Sequence, residues 1–75
     1  MERSDIYKRL ERAATGPDAE KALWRLVLEL RLKKFSCIEI VDIFEPAFEW
    51  LPDEAIGYSE QIIKTLRGQY ERQLF

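Results

Sequence analysis

The chain has 75 residues, 47% of them apolar and 35% charged, with a formal net charge of −2, one cysteine and no histidine. That length allows one small domain over residues 1–75, which buries only about 60% of its unfolded surface and so needs good packing or a partner. Lacking histidine and holding only Cys37, it cannot build a four-ligand zinc site, a Cys/His or Ser/His/Asp catalytic group, or an internal disulfide.

Two tryptophans, three tyrosines and four phenylalanines supply enough bulk for a real core, so compositional disorder is not expected. Residues Met1 to Leu10 are rich in charge and hold no apolar stretch of the signal-peptide kind. No apolar run approaches the roughly 20 residues that span a bilayer. The expectation is a soluble cytoplasmic protein with no membrane attachment, and the lone cysteine fits a reducing compartment.

Apolar spacing predicts an all-α fold, a small bundle of about four helices. The first covers about residues 4–15, with Ser4 as its cap and Ile6, Leu10, Ala13 and Ala14 on one face. Gly16 and Pro17 end it, glycine suiting a left-handed position and proline the start of the next helix. The second covers about residues 17–34. Leu23, Trp24, Leu26, Val27, Leu28 and Leu30 span so broad an arc that this helix should be central. Glu29 and Lys33 form a favourable pair one turn apart.

The third segment, about residues 36–51, carries mixed signals. Ser36 and Glu39 have capping-box spacing. Ile40, Val41, Ile43, Phe44, Ala47, Phe48, Trp50 and Leu51 fall on one helical face. Against this, Ile38-Glu39-Ile40 alternates like a strand, β-branched residues crowd 38–43, and Pro46 removes a hydrogen bond. Helix is the stronger reading, because a lone strand would have no partner. A fourth helix follows over about residues 53–73, started by Pro52, Asp53 and Glu54. Its stripe runs through Ala55, Ile56, Ile62, Ile63, Leu66, Tyr70 and Leu74.

The charge is unevenly placed. Residues 1–35 hold nine bases against six acids, and residues 36–75 hold three against eight. No base lies between Lys34 and Lys64. Glu39, Asp42, Glu45 and Glu49 share one helical face, where like charges cost a few tenths of a kcal/mol per pair. A solvated face, partly answered by Arg31, Lys33 and Lys34, accounts for such a run without any function. The sharper expectation is a docking face of Glu39, Asp42, Glu45, Glu49, Trp50, Asp53 and Glu54 for a basic surface on another protein.

The sequence therefore reads as a non-enzymatic interaction module (an adaptor, inhibitor or regulatory subunit) with no cofactor and no metal. Two alternatives stay open. Arg25, Arg31, Lys33 and Lys34 beside Phe35 could contact nucleic acid, although a pI near 5.1 opposes it. The stripe Ile56, Ile63 and Tyr70 repeats every seven residues and could hold a homo-oligomer. Leu32, Ile38 and Phe75 sit on the wrong side of their wheels and hint at a contact surface.

Overall fold

The computed structural model describes the backbone of residues 2–73 and the side chains of residues 2–69. Four helices follow one another: α1 (Arg3–Thr15), α2 (Ala19–Leu32), α3 (Cys37–Ala47) and α4 (Asp53–Gln73). No strand occurs among the described residues. The doubtful third segment is a helix because its capping box forms in full. Ser36 Oγ accepts the Glu39 N–H at 3.1 Å, and Glu39 Oε1 accepts the Ser36 N–H at 3.1 Å. Two of the four orphan donors of a helix start are thereby satisfied, which outweighs the β-branched residues that follow.

Several boundaries differ from the sequence-based expectation. Helix α1 starts on Glu2, whose carbonyl accepts the Ile6 N–H at 3.1 Å, so Ser4 lies inside the first turn and caps nothing. Gly16 takes an ordinary extended conformation, with φ −80°, in place of the expected left-handed one. Asp18, not Pro17, precedes α2. The left-handed residue is Lys34, with φ 71°. There the Phe35 N–H donates to Leu30 and the Lys34 N–H to Arg31, each at 3.0 Å. This is the paired 6→1 and 5→2 bonding that closes helix ends, and Phe35 packs against the core beside it. Lys34 holds the place that glycine usually takes, so the residue type gave no signal.

Helix α3 stops at Ala47, four residues short of expectation. Pro46 has no N–H for the Asp42 carbonyl, and Pro52 pushes Leu51 out of the helical region. The chain instead tightens through Phe48 N–H to Glu45 at 3.2 Å and Trp50 N–H to Ala47 at 3.1 Å. Pro46 itself is exposed, on the polar side where the sequence puts it.

Helices α1 and α2 form one hairpin, α3 and α4 another, and the hairpins meet mainly through α2 and α4. Cys37, the first residue of α3, lies beside Gln69 near the end of α4, with Sγ 3.9 Å from Oε1, so this pair runs antiparallel. One core draws on all four helices: Ile6 and Leu10, Leu23 and Leu30, Ile40, Ile43 and Phe44, and Ile62. Each such side chain contributes about 1.5–3 kcal/mol by leaving water. The radius of gyration, 11.7 Å, is close to the roughly 11 Å of a compact chain this long.

Two core expectations need correction. Leu28 is 62% exposed, because the buried arc of α2 is limited to Leu23, Leu26, Val27 and Leu30. Trp50 is 45% exposed, because the helix that would have turned it inward has already ended. Ser59, unremarked in the sequence pattern, is fully buried with an unpartnered hydroxyl. Ala55, one turn before it, is buried as well. Of the expected α4 stripe, Ile62, Ile63 and Leu66 are buried and Ile56 packs against the core. The side chains of Tyr70 and Leu74, like Phe75, lie outside the described residues.

Two stability measurements follow. Lys34→Gly relieves the left-handed backbone and should raise unfolding free energy by about 1 kcal/mol in urea titration. Ser59→Ala removes a buried hydroxyl with no partner and should leave stability unchanged or raise it by up to about 1 kcal/mol. A loss above about 1 kcal/mol in the second variant would show that the hydroxyl is bonded after all.

Candidate acidic docking face

Helix α3 presents its apolar residues Ile40, Val41, Ile43, Phe44 and Ala47 to the core. Geometry then leaves Ile38, Glu39, Asp42, Glu45 and Pro46 on the opposite side, and all five are exposed. Glu49 and Trp50 continue this surface in the turn after α3, and Asp53 and Glu54 open α4; all four are exposed. Every residue of the expected docking face therefore reaches solvent, but the residues are not equivalent.

Four of the acids have structural work. Glu39 completes the capping box of α3. Glu45 accepts from Arg67 of α4 at 2.5 Å. Asp53 and Glu54 occupy the first turn of α4, where negative charge answers the positive end of the helix dipole. Asp42 and Glu49 have neither a hydrogen bond nor an ion pair among the described residues. With Trp50 between Glu49 and the start of α4, they form the part of the face that folding does not use.

The sequence looks to Arg31, Lys33 and Lys34 to answer these acids. The answering base is instead Arg67, on the helix that packs beside α3. Arg31 turns its guanidinium to the Cys37 sulfur, Lys33 caps α2 and Lys34 makes the left-handed turn. Of this cluster only Arg31 engages its side chain; Lys33 and Lys34 shape the corner through their backbones and are exposed.

Beside the Glu45–Arg67 pair, a groove of about 590 Å³ runs between α3 and α4. Phe48, Ile63 and Gly68 supply its apolar lining, and Glu45, Glu60, Lys64 and Arg67 border it. Nothing lies within 4 Å of where a side chain on Gly68 would begin, so the groove is open there. Its charges cancel in pairs, so it does not extend the acidic surface.

On the other hairpin, Arg9 of α1 pairs with Glu29 of α2. The hydrogen bond from Arg9 holds the Glu29 carboxyl below its ordinary value of 4.5, with smaller help from Lys33. Glu29 is thus tied to another helix, while Lys33, the expected partner one turn away, acts on it only through its charge and forms no ion pair with it. No group of three or more metal-ligating side chains occurs among the described residues. No helix among them is long and apolar enough to cross a membrane.

What fold and surface define is a small all-α globule with an acidic third helix. No protein-family model, curated protein or solved structure matches the chain.

The lowered Glu29 carboxyl has a definite sign. Its contribution to stability is present above the unfolded value and disappears as pH falls through the lower folded value. Arg9→Gln should therefore lower the urea midpoint at pH 7 yet match the parent protein well below pH 4.5. Urea titrations of both proteins across that range check the convergence.

Proposed function

We propose that the protein is a cytoplasmic, non-enzymatic interaction module that docks its acidic α3 face on a basic surface of another protein. The observation that carries this reading is the placement of Asp42, Glu49 and Trp50. Two carboxylates without partners flank an exposed, proline-ended helix, and a half-exposed tryptophan stands next to one of them. Tryptophan is favoured as an interface anchor because it buries a large area at small cost in side-chain freedom. The carboxylates would speed encounter with a basic partner and reject acidic ones. Placement in the cytoplasm is supported by the single unpaired, buried Cys37.

The arrangement favours a protein partner over direct nucleic-acid contact. Phosphate binding needs a strongly basic surface, whereas Arg31 turns to the Cys37 sulfur and the chain as a whole is acidic, with a pI near 5.1. An acidic helix can, however, occupy a basic site on a nucleic-acid-binding target, which makes such proteins natural candidates as partners.

Affinity capture from a source lysate with nuclease present should recover the partner with the parent chain. The doubly reversed Asp42→Lys, Glu49→Lys chain should bind it about tenfold more weakly or worse, about 1.4 kcal/mol. Undiminished binding by that chain, folded by circular dichroism, would remove the acidic face from the interaction. Loss of every partner on nuclease treatment would point to nucleic acid instead.

A further inference from the structure

Helix α2 has a second ridge that the core does not use. At about 100° per residue, Lys21, Arg25, Leu28 and Leu32 fall within roughly 60° of one another, opposite the buried Leu23, Leu26, Val27 and Leu30. Leu28 is 62% exposed and Leu32 84% exposed. Lys21 and Arg25 are exposed as well, and neither forms an ion pair among the described residues. Directly after Leu32 the corner adds Lys33 and Lys34, both exposed, whose side chains form no ion pair there either. Trp24, partly buried, stands one turn before Leu28 on the flank of the ridge. A single exposed leucine is ordinary; two in line, with cations before and after them, make a surface.

The acids of α2 do not cancel this charge. Glu20 lies about 100° round the helix from Lys21, and Glu29 is paired with Arg9. Across the corner, Glu39 is turned to the Ser36 N–H. The acidity of the whole chain comes from residues 36–75, which hold eight acids against three bases.

The pairing of leucine with cation selects among anionic surfaces. A phosphate backbone attracts the cations but gives leucine nothing to enter. An acidic protein would need a groove shaped to the convex crest of one helix. An anionic lipid surface takes both features as they stand. Leucine enters the boundary between headgroups and acyl chains, while lysine and arginine keep their charged ends among the headgroups. We infer that the α2 ridge adsorbs to an anionic membrane surface, with Leu28 and Leu32 inserted and Lys21, Arg25, Lys33 and Lys34 at the headgroups.

Such contact uses one face of a helix and needs no spanning segment, and it departs from the sequence-based expectation of no membrane attachment. Two leucines and a few bases predict weak, reversible binding, which a second contact would strengthen. The inference goes beyond the protein-docking reading and uses none of the residues of the acidic α3 face.

Sedimentation of the full chain with lipid vesicles tests it. Vesicles of phosphatidylcholine mixed with phosphatidylserine should carry the protein down, vesicles of phosphatidylcholine alone should not, and rising salt should weaken the binding. Leu28→Ser with Leu32→Ser should lower the partition coefficient about tenfold or more while leaving the circular dichroism unchanged. Lys21→Gln with Arg25→Gln and Lys33→Gln should do the same without altering an apolar side chain.

A parent chain that stays in solution with phosphatidylserine vesicles at low salt would overturn the inference. So would equal binding to phosphatidylcholine alone, or binding indifferent to either set of variants. A chain that ignores vesicles but binds a helical peptide rich in glutamate and leucine through Leu28 and Leu32 would assign the ridge to a protein and overturn it too. The two proposals fail separately. The Leu28→Ser, Leu32→Ser chain keeps the whole acidic face, so it should still capture the protein partner that Asp42→Lys with Glu49→Lys loses.

Discussion

The four-residue corner between α2 and α3 governs how the two hairpins meet. The chain must stop one helix, reverse and begin another without leaving buried backbone groups unbonded. It does so with two local devices back to back. Lys34 turns left-handed so that Phe35 and Lys34 satisfy the last carbonyls of α2. Ser36 and Glu39 then satisfy the first amides of α3. Arg31, reaching the Cys37 sulfur, spans the two. Were the corner looser, α3 would lose the orientation that sends Phe44 into the core and Asp42 to solvent.

The proline at position 46 has a comparable influence on the opposite end of α3. By ending the helix at Ala47, it divides residues that a continuous helix would have kept on one face. Phe48 stays against the core while Trp50 is left half exposed. The anchor of the proposed docking face is therefore a product of helix termination, not of helical periodicity. A continuous helix through Leu51 would have buried the tryptophan and left the carboxylates without an apolar companion.

These particulars explain what could be read from sequence. The helices were legible because leucine and isoleucine spacing is strong, and the third was decided by a capping box visible as Ser36 and Glu39. The corner at Lys34 was not legible, since a lysine in a left-handed turn looks like any lysine. The burial of Ser59 was equally hidden, because a small polar residue in an apolar stripe reads as an interruption. At the candidate site, wheel positions sufficed to show that Glu39, Asp42, Glu45 and Glu49 share a face. They did not distinguish Glu39 and Glu45, which have structural partners, from Asp42 and Glu49, which have none. For Glu39 the partner is local, the capping box with Ser36, but for Glu45 it is Arg67, 22 residues away in sequence.

Charge order and core size then bear on each other. A chain of this length has few residues to place in its interior, and most of its aliphatic side chains are there. Leaving Leu28 and Leu32 in water forgoes burial worth about 1.5–3 kcal/mol each, in a fold with little stability to spare. Lys21 and Arg25 on the same ridge form no ion pair among the described residues that would recover that energy inside the monomer. The unpaired acids Asp42 and Glu49 belong to α3 and the turn after it, a segment that packs chiefly on α4. Net charge conceals this arrangement, since opposite halves nearly cancel. The separation matters because attraction between unlike surfaces acts only between molecules when the surfaces point outward, and both of these do.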